Sequence, residues 1–122
     1  MSVYRIVVVT GVVPNAGTNA DVWITLYGKD GTNSGERFLD NAEDNFENGK
    51  TDTFTFDSRN LGDLKGVLIR HDNSGNKPGW FLDRIQVFND SELNGAWTFP
   101  CNRWLAVDED DGQISRFLAV AD

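Results

Sequence analysis

Residues 99–106 read Phe-Pro-Cys-Asn-Arg-Trp-Leu-Ala, and an acidic turn, Asp-Glu-Asp-Asp-Gly, follows at residues 108–112. The first stretch sets a proline, a lone cysteine and an Arg-Trp pair between apolar positions. No short rule of strand or turn propensity requires that order. The stretch also lacks a catalytic set of residues, so it indicates a particular fold rather than a particular reaction.

Upstream and downstream of this stretch, short apolar or alternating runs are divided by polar turns. Residues 51–57 alternate strictly, which places Phe54 and Phe56 on one face of a strand and the threonines on the other. Gly28-Lys29-Asp30-Gly31 is a strong turn signal after an alternating run. The runs predicted as strands are 4–10, 21–27, 37–39, 51–57, 67–71, 81–88, 96–99 and 114–120.

About eight short strands at near-regular spacing predict an all-β fold, an eight-stranded antiparallel β-sandwich. No segment has a sustained helical period, and at most residues 61–64 form a helical turn. The 122 residues suffice for one hydrophobic core and not for two, so we expect a single domain over residues 1–122.

Charge and cysteine content exclude several classes of function. A net charge of −8 argues against nucleic-acid binding, which depends on clustered Lys and Arg. It also disfavours unaided binding to anionic lipid, although a bound divalent cation reverses the local charge. The single cysteine, Cys101, excludes an internal disulfide and a cysteine-based zinc site. No apolar run approaches the ~20 residues of a membrane span, and no signal peptide is visible, which favours the cytosol or a peripheral membrane location.

Several separate motifs carry a resemblance to one family. They occur in chain order at residues 16–22 (Ala-Gly-Thr-Asn-Ala-Asp-Val), 44–54 (Asp-Asn-Phe-Glu-Asn-Gly-Lys-Thr-Asp-Thr-Phe), 71–75 (His-Asp-Asn-Ser-Gly), 78–83 (Pro-Gly-Trp-Phe-Leu-Asp) and 99–104. Together they resemble the PLAT, or lipoxygenase-homology, domains over nearly the whole chain. The Asn-Arg-Trp-Leu-Ala and Glu-Asp-Asp-Gly strings are most similar to those of the tandem-repeat lipoxygenase-homology proteins and their single-domain relatives.

The resemblance implies a non-catalytic β-sandwich that targets proteins to membranes or to partner proteins, often with calcium. Calcium takes six to eight oxygen ligands, and two loops that this fold brings to one end could supply them. The residues that the resemblance assigns to the ion are Asn15, Gly17, Thr18, Asp40, Asn41, Glu43, Asp44 and Asn45. The alternative is that these Asn and Asp side chains only build turns through hydrogen bonds to the backbone.

The same resemblance indicates where a lipid surface or protein partner is contacted. Membrane-binding relatives expose aromatic residues on loops beside the calcium sites, where a ring sits among lipid headgroups. Here Trp104 matches such a position, and Val12 and Val13 form a small apolar tip. This anchor is thin, so contact with a protein is also a candidate role.

An enzymatic function is not expected. His71, Asp72 and Ser74 are too close in sequence to form a catalytic triad, whose members come from separate segments. No nucleophile elbow or phosphate-binding loop is present. The remaining alternatives are a calcium-independent protein-interaction module and a carbohydrate-binding sandwich. An exposed planar row of Trp23, Trp80 or Trp97 on one sheet face would favour the latter, and burial of all three would exclude it.

Overall fold

The strands account for half of the residues in the computed structural model, which describes residues 1–41, 44–93 and 95–121. In that part of the chain they are β1 Ser2–Thr10, β2 Val22–Gly28, β3 Arg37–Phe38, β4 Thr51–Ser58, β5 Leu64–His71, β6 Trp80–Asn89, β7 Ala96–Leu105 and β8 Ser115–Ala119. Each matches one of the predicted runs. No helix in these residues is long and apolar enough to cross a membrane.

The strands form two four-stranded antiparallel sheets, ordered β4-β1-β6-β7 and β3-β2-β5-β8. Alternation along each strand sends one set of side chains between the sheets. In β1 the buried set is Ser2, Tyr4, Ile6, Val8 and Thr10. The predicted all-β eight-stranded sandwich is confirmed.

The core is apolar and closely packed, with a few hydrogen-bonded polar groups. Trp80 is fully buried and donates its indole N–H to Thr10 Oγ1 at 2.9 Å. The Tyr4 hydroxyl accepts the Leu61 amide at 3.0 Å. Phe54 lies between the sheets against Phe46, so the predicted inward face of β4 is confirmed.

Two local predictions were wrong. The strand that was expected to end before Pro100 continues to Leu105. Pro100 is tolerated because β7 is the edge strand of its sheet, where a missing N–H breaks no ladder bond. The register shifts opposite Asp83, and Asn102 adopts φ +54° there, as at a β-bulge. The possible helical turn at residues 61–64 does not form, because Leu64 already begins β5.

Candidate functional site

Strand direction brings four loops to one end of the sandwich. β1, β3, β5 and β7 end there, and β2, β4, β6 and β8 begin there, so the described residues of the loops at 11–21, 39–41 with 44–50, 72–79 and 106–114 are neighbours. We call this the loop end. It holds every residue that the sequence assigned to calcium or to partner contact within the described part of the chain.

Oxygen-bearing residues line a cavity of about 220 Å³ between the first two loops. Of the residues predicted to hold an ion, the structure brings together Thr18, Asp40, Asp44 and Asn45 here. The full lining is Thr18, Asn19, Ala20, Asp21, Phe38, Leu39, Asp40, Asp44, Asn45 and Phe46. We call this space the oxygen-lined cavity.

Backbone contacts fix the spacing of its two walls. The Thr18 amide donates to Phe46 O at 3.0 Å. The Thr18 hydroxyl donates to Pro78 O at 2.5 Å and accepts the Ala20 amide at 3.1 Å. These bonds hold the first loop against the second and the third. The Thr18 hydroxyl therefore already has hydrogen-bond partners within the loops.

Gly17 is needed for this close approach. A Cβ at residue 17 would lie 2.9 Å from Phe46 O and 3.0 Å from the Asn48 amide nitrogen. Both are backbone atoms that cannot move aside cheaply. The role of Gly17 visible here is therefore to let the two loops touch.

Asn41 and Asn45 belong to a hydrogen-bonded network centred on Asp52. Asn45 Nδ2 donates to Asn41 Oδ1 at 2.9 Å and to Asp52 Oδ1 at 3.1 Å. The Phe46 amide donates to Asp52 Oδ2 at 2.8 Å. Asn41 Nδ2 donates to Thr53 O at the β4 edge, 3.1 Å away.

Asp52 is a functional candidate that the sequence reasoning missed. Its side chain is fully buried, and Lys50 Nζ lies 3.4 Å from Asp52 Oδ1. The sequence did indicate it, because the strict alternation along β4 places residue 52 on the same inward face as Phe54. A carboxylate at an inward position has to be paired or hydrogen-bonded.

A pair of carboxyl groups lies beside the cavity. Hydrogen bonding to the Asp44 carboxyl, together with repulsion from its charge, raises the pKa of Glu47. Glu47 was not among the predicted ligands. Two carboxyl groups brought together in this way favour either a shared proton or a bound cation.

The remaining predicted ligands lie elsewhere or outside the described residues. Asn15 and Gly17 line an adjoining space of about 280 Å³, which shares Thr18 and Asn19 with the oxygen-lined cavity. Asn15 adopts φ +63°, which is typical of a turn asparagine. Glu43 lies outside the described residues. Their assignment to an ion stays a prediction.

The donor types at the oxygen-lined cavity fit a hard cation such as calcium, because carboxylate, amide and carbonyl oxygens surround it. Among the described residues, no group of three or more His, Cys, Asp or Glu side chains is close enough to hold a metal ion. Calcium would therefore depend on amide, backbone and water oxygens, with at most two of the carboxylates Asp21, Asp40 and Asp44 close together.

The predicted contact residues lie at the same end. Val12 is 81% exposed, whereas Val13 is half-buried and its carbonyl accepts Asn48 Nδ2 at 2.8 Å. Trp104 is half-buried, with its ring edge-to-face with Phe81 at 5.4 Å between centroids. Of these three predicted contact residues, Val12 is the most exposed and the best placed to enter a lipid surface.

His71 has a structural role. It is buried, with Nε2 2.7 Å from Leu105 O, and its Nδ1 accepts the Asn73 amide at 3.0 Å. These partners define the neutral ring with the proton on Nε2. Burial lowers the pKa of His71.

The tryptophans do not form a binding row. Trp80 is buried between the sheets, whereas Trp23 and Trp97 are half-buried on different sheets. Trp23 packs instead against Arg70 and Phe38. These three tryptophans therefore do not form the exposed row that would favour a carbohydrate-binding face. Only Trp80 of the three is buried, so the outcome that would exclude such a face is not met.

The fold and its loop end define a β-sandwich module whose candidate binding residues lie in the loops at one end. Residues 4–118 match the family described as PLAT/LH2 domain. The chain belongs to the PLAT/LH2 family, as its motifs predicted. The PLAT/LH2 domain is itself a non-catalytic module.

Two relatives illustrate the match. The chain is 48% identical over 117 residues to lipoxygenase homology domain-containing protein 1 of Mus musculus, covering 96% of this chain and 6% of that protein. It is 41% identical over 119 residues to polycystin-1-like protein 3 of Mus musculus, covering 97% and 6%. The chain thus spans 6% of the length of each of these curated relatives.

Solved structures share the fold. A coral 8R-lipoxygenase, described as activated by calcium through a C2-like domain, superposes with a TM-score of 0.84 at 25% identity, covering 98% of this chain and 17% of that one. A lipoxygenase in complex with arachidonate gives 0.84 and 25%, covering 100% and 17%. The alpha toxin of Clostridium absonum, at 0.69 and 20% identity, covers 98% and 31% and shows the fold alone.

Proposed function

We propose that this chain is a calcium-dependent binding and targeting module that docks to a lipid surface or a protein partner through its loop end. The observation that carries the proposal is the oxygen-lined cavity, which brings Asp40 and Asp44 together with residues 18–21. Calcium bound there would offset part of the −8 charge and bring the exposed Val12 toward a surface. The calcium activation described for the coral lipoxygenase supports this reading.

Thermal unfolding in EDTA against a calcium titration, with magnesium as the control ion, tests the ion site. A ligand at ~100 times its dissociation constant stabilises the folded state by about 2.7 kcal/mol if it binds only that state. We expect a saturable, calcium-selective rise in Tm. The double variant Asp40→Asn/Asp44→Asn should lose it.

The matched control is Asp57→Asn/Glu92→Gln, which removes two charges at the opposite end of the sandwich. It should respond to calcium as the wild type does. An unchanged calcium response in the Asp40/Asp44 double variant would reject the site, and no response in the wild type would reject calcium dependence.

A calcium-independent protein-interaction module is the second candidate function. The hydrogen bonds of Asn45 and Phe46 to Asp52 favour it, together with the Lys50–Asp52 ion pair, because these contacts order the second loop without a metal. Under this candidate, partner binding is equal in EDTA and in calcium.

A further inference from the structure

A larger cavity, of about 410 Å³, opens at the loop end beside β6 and β7. Its lining residues are Asn15, Asn73, Asn76, Lys77, Pro78, Gly79, Trp104, Val107, Asp108 and Glu109. None of them lines the oxygen-lined cavity. We call it the Trp104 pocket, and of the residues predicted to hold calcium only Asn15 lines it.

The acidic turn divides into a neutralised half and a free half. Arg103 donates to Asp110 at 2.9 and 3.0 Å, and Arg116 donates to Asp111 at 2.8 and 3.1 Å. These arginines lower the pKa of Asp110, and that of Asp111 to about 2. The side chains of Asp108 and Glu109 have no ion pair or hydrogen bond within the described part of the chain, and both line the pocket.

Elsewhere in this protein, an arginine side chain is held between an indole ring and a carboxylate. On the outer face of the second sheet, the Arg70 guanidinium carbon lies 4.3 Å from the centroid of the Trp23 ring. The same guanidinium donates to both carboxylate oxygens of Glu36, each at 2.7 Å. A guanidinium is thus held between an indole and a carboxylate, a combination of cation–π attraction and a two-bond fork.

The Trp104 pocket supplies the indole and the carboxylates of that arrangement. Asn15, Asn73 and Asn76 add amide oxygens that accept hydrogen bonds. A guanidinium carries five donors in a plane, which suits an indole wall and several acceptors better than a quaternary ammonium, which has no donor. Within the described residues, the cations over aromatic rings lie at Phe88, Phe56 and Trp23 rather than at Trp104.

We propose that the Trp104 pocket binds an arginine side chain from a basic polypeptide segment. The guanidinium packs against Trp104 and donates to Asp108 and Glu109. The −8 charge of the domain attracts such a segment over a distance, whereas the charge of Lys77, which also lines the pocket, opposes it. The basic segment would be the partner of the docking function proposed above, and its role as a partner rests on that proposed function. Binding of the arginine side chain itself requires no calcium.

The test is a titration of the ¹⁵N-labelled domain in EDTA with the peptide acetyl-Gly-Arg-Gly-Arg-Gly-amide. We expect saturable shifts confined to residues 73–79 and 104–109. The citrulline analogue, which is planar but uncharged, should bind at least about tenfold more weakly, since a lost charge-assisted hydrogen bond is worth about 1.5–3 kcal/mol.

Variants assign the effect to the pocket. Asp108→Asn/Glu109→Gln should weaken binding by about tenfold, and Lys77→Gln should strengthen it by roughly two- to fivefold. Both acidic side chains are exposed and without internal side-chain partners in the described residues, so these variants should fold. Asp57→Asn/Glu92→Gln, at the far end, should bind as the wild type does.

Equal binding of the arginine and citrulline peptides overturns the proposal, as does unchanged affinity in the Asp108/Glu109 variant. Preferential binding of phosphocholine in the same cavity overturns the assignment to a polypeptide. Arginine binding in EDTA by a domain that shows no calcium response would reject the calcium site alone and leave the pocket standing.

Discussion

Lys50 Nζ lies 3.4 Å from Asp52 Oδ1, and the Asp52 side chain is fully buried whereas that of Lys50 is 31% exposed. Lys50 also donates to the backbone oxygen of Asp44. One ammonium group therefore bridges the buried carboxylate of β4 and the loop that carries the proposed ion ligands. The order of that loop depends on this internal cation.

Replacing Lys50 with Met should lower the free energy of unfolding by about 1–3 kcal/mol. Removing one partner of a buried ion pair costs about 3–5 kcal/mol, and the partial exposure of Lys50 reduces that figure. Urea unfolding measures the change. Lys77→Met is the control, since Lys77 is exposed and makes no ion pair in the described chain, and its stability should stay within about 0.5 kcal/mol of the wild type. Equal stability of the two variants would refute the role of Lys50.

Replacing Gly17 with Ala should destabilise the domain and separate the first two loops. The new methyl carbon would approach two backbone atoms within 2.9 and 3.0 Å, and overpacking of this kind costs about 1–3 kcal/mol. Gly79→Ala is the matched control at the same end, because its Cβ would meet only the Ala106 methyl at 3.3 Å. Chemical denaturation and hydrogen exchange of the Thr18 amide report the two effects. Wild-type protection of that amide in the Gly17 variant would contradict the prediction.

The architecture could be predicted because alternation and turn signals are local. Residues 51–57 show the inward and outward faces of β4 without any knowledge of its neighbours. The end of β7 could not be read in the same way. Pro100 stops a central strand and is harmless at an edge, and edge position is a property of the whole sheet.

The candidate site was less accessible to sequence reasoning. Asp40, Asp44 and Asn45 could be assigned through the resemblance, since acidic loops at strand ends are visible in the sequence. The hydrogen bond of the Thr18 hydroxyl to Pro78 O and the ion pair of Asp52 with Lys50 depend on how the chain folds around these residues, so the sequence pattern alone does not show them. Free and neutralised carboxylates in the acidic turn look alike in sequence, and only the positions of Arg103 and Arg116 separate them.

Replacing Trp104 with Ala should weaken calcium-dependent binding to phospholipid vesicles if the loop end docks to lipid, because the indole is the one large aromatic among the predicted contact residues. The affinity for vesicles is expected to fall by about three- to tenfold when one partly inserted ring is removed. Phe117→Ala is the control, since that ring is 50% exposed on a sheet face away from the loop end. Vesicle sedimentation compares them. Equal sedimentation of the Trp104 variant and the wild type would remove Trp104 from lipid contact.

Folding stability should decrease as the pH falls below about 6.5, through His71. The ring is buried and neutral, and its lowered pKa means that the unfolded chain takes up this proton more readily than the folded domain. The contribution of the neutral His71 ring to folding stability is therefore fully present above the pKa of the unfolded chain, about 6.5. It is lost as the pH falls from there through the lowered pKa of the folded domain. The charge of Asp72 opposes the shift without reversing it.

The pH dependence can be assigned to His71 by substitution. Between pH 7.5 and 5.5 the wild type should lose stability, with a slope below the value of about 1.4 kcal/mol per pH unit that uptake of one full proton on unfolding would give. His71→Gln removes the titrating group, so its slope should be close to zero over this range even though its absolute stability is lower. The carboxyl groups titrate mainly at lower pH. Equal slopes for the two proteins would mean that protonation of the buried ring does not limit stability, and that another group governs the acid response.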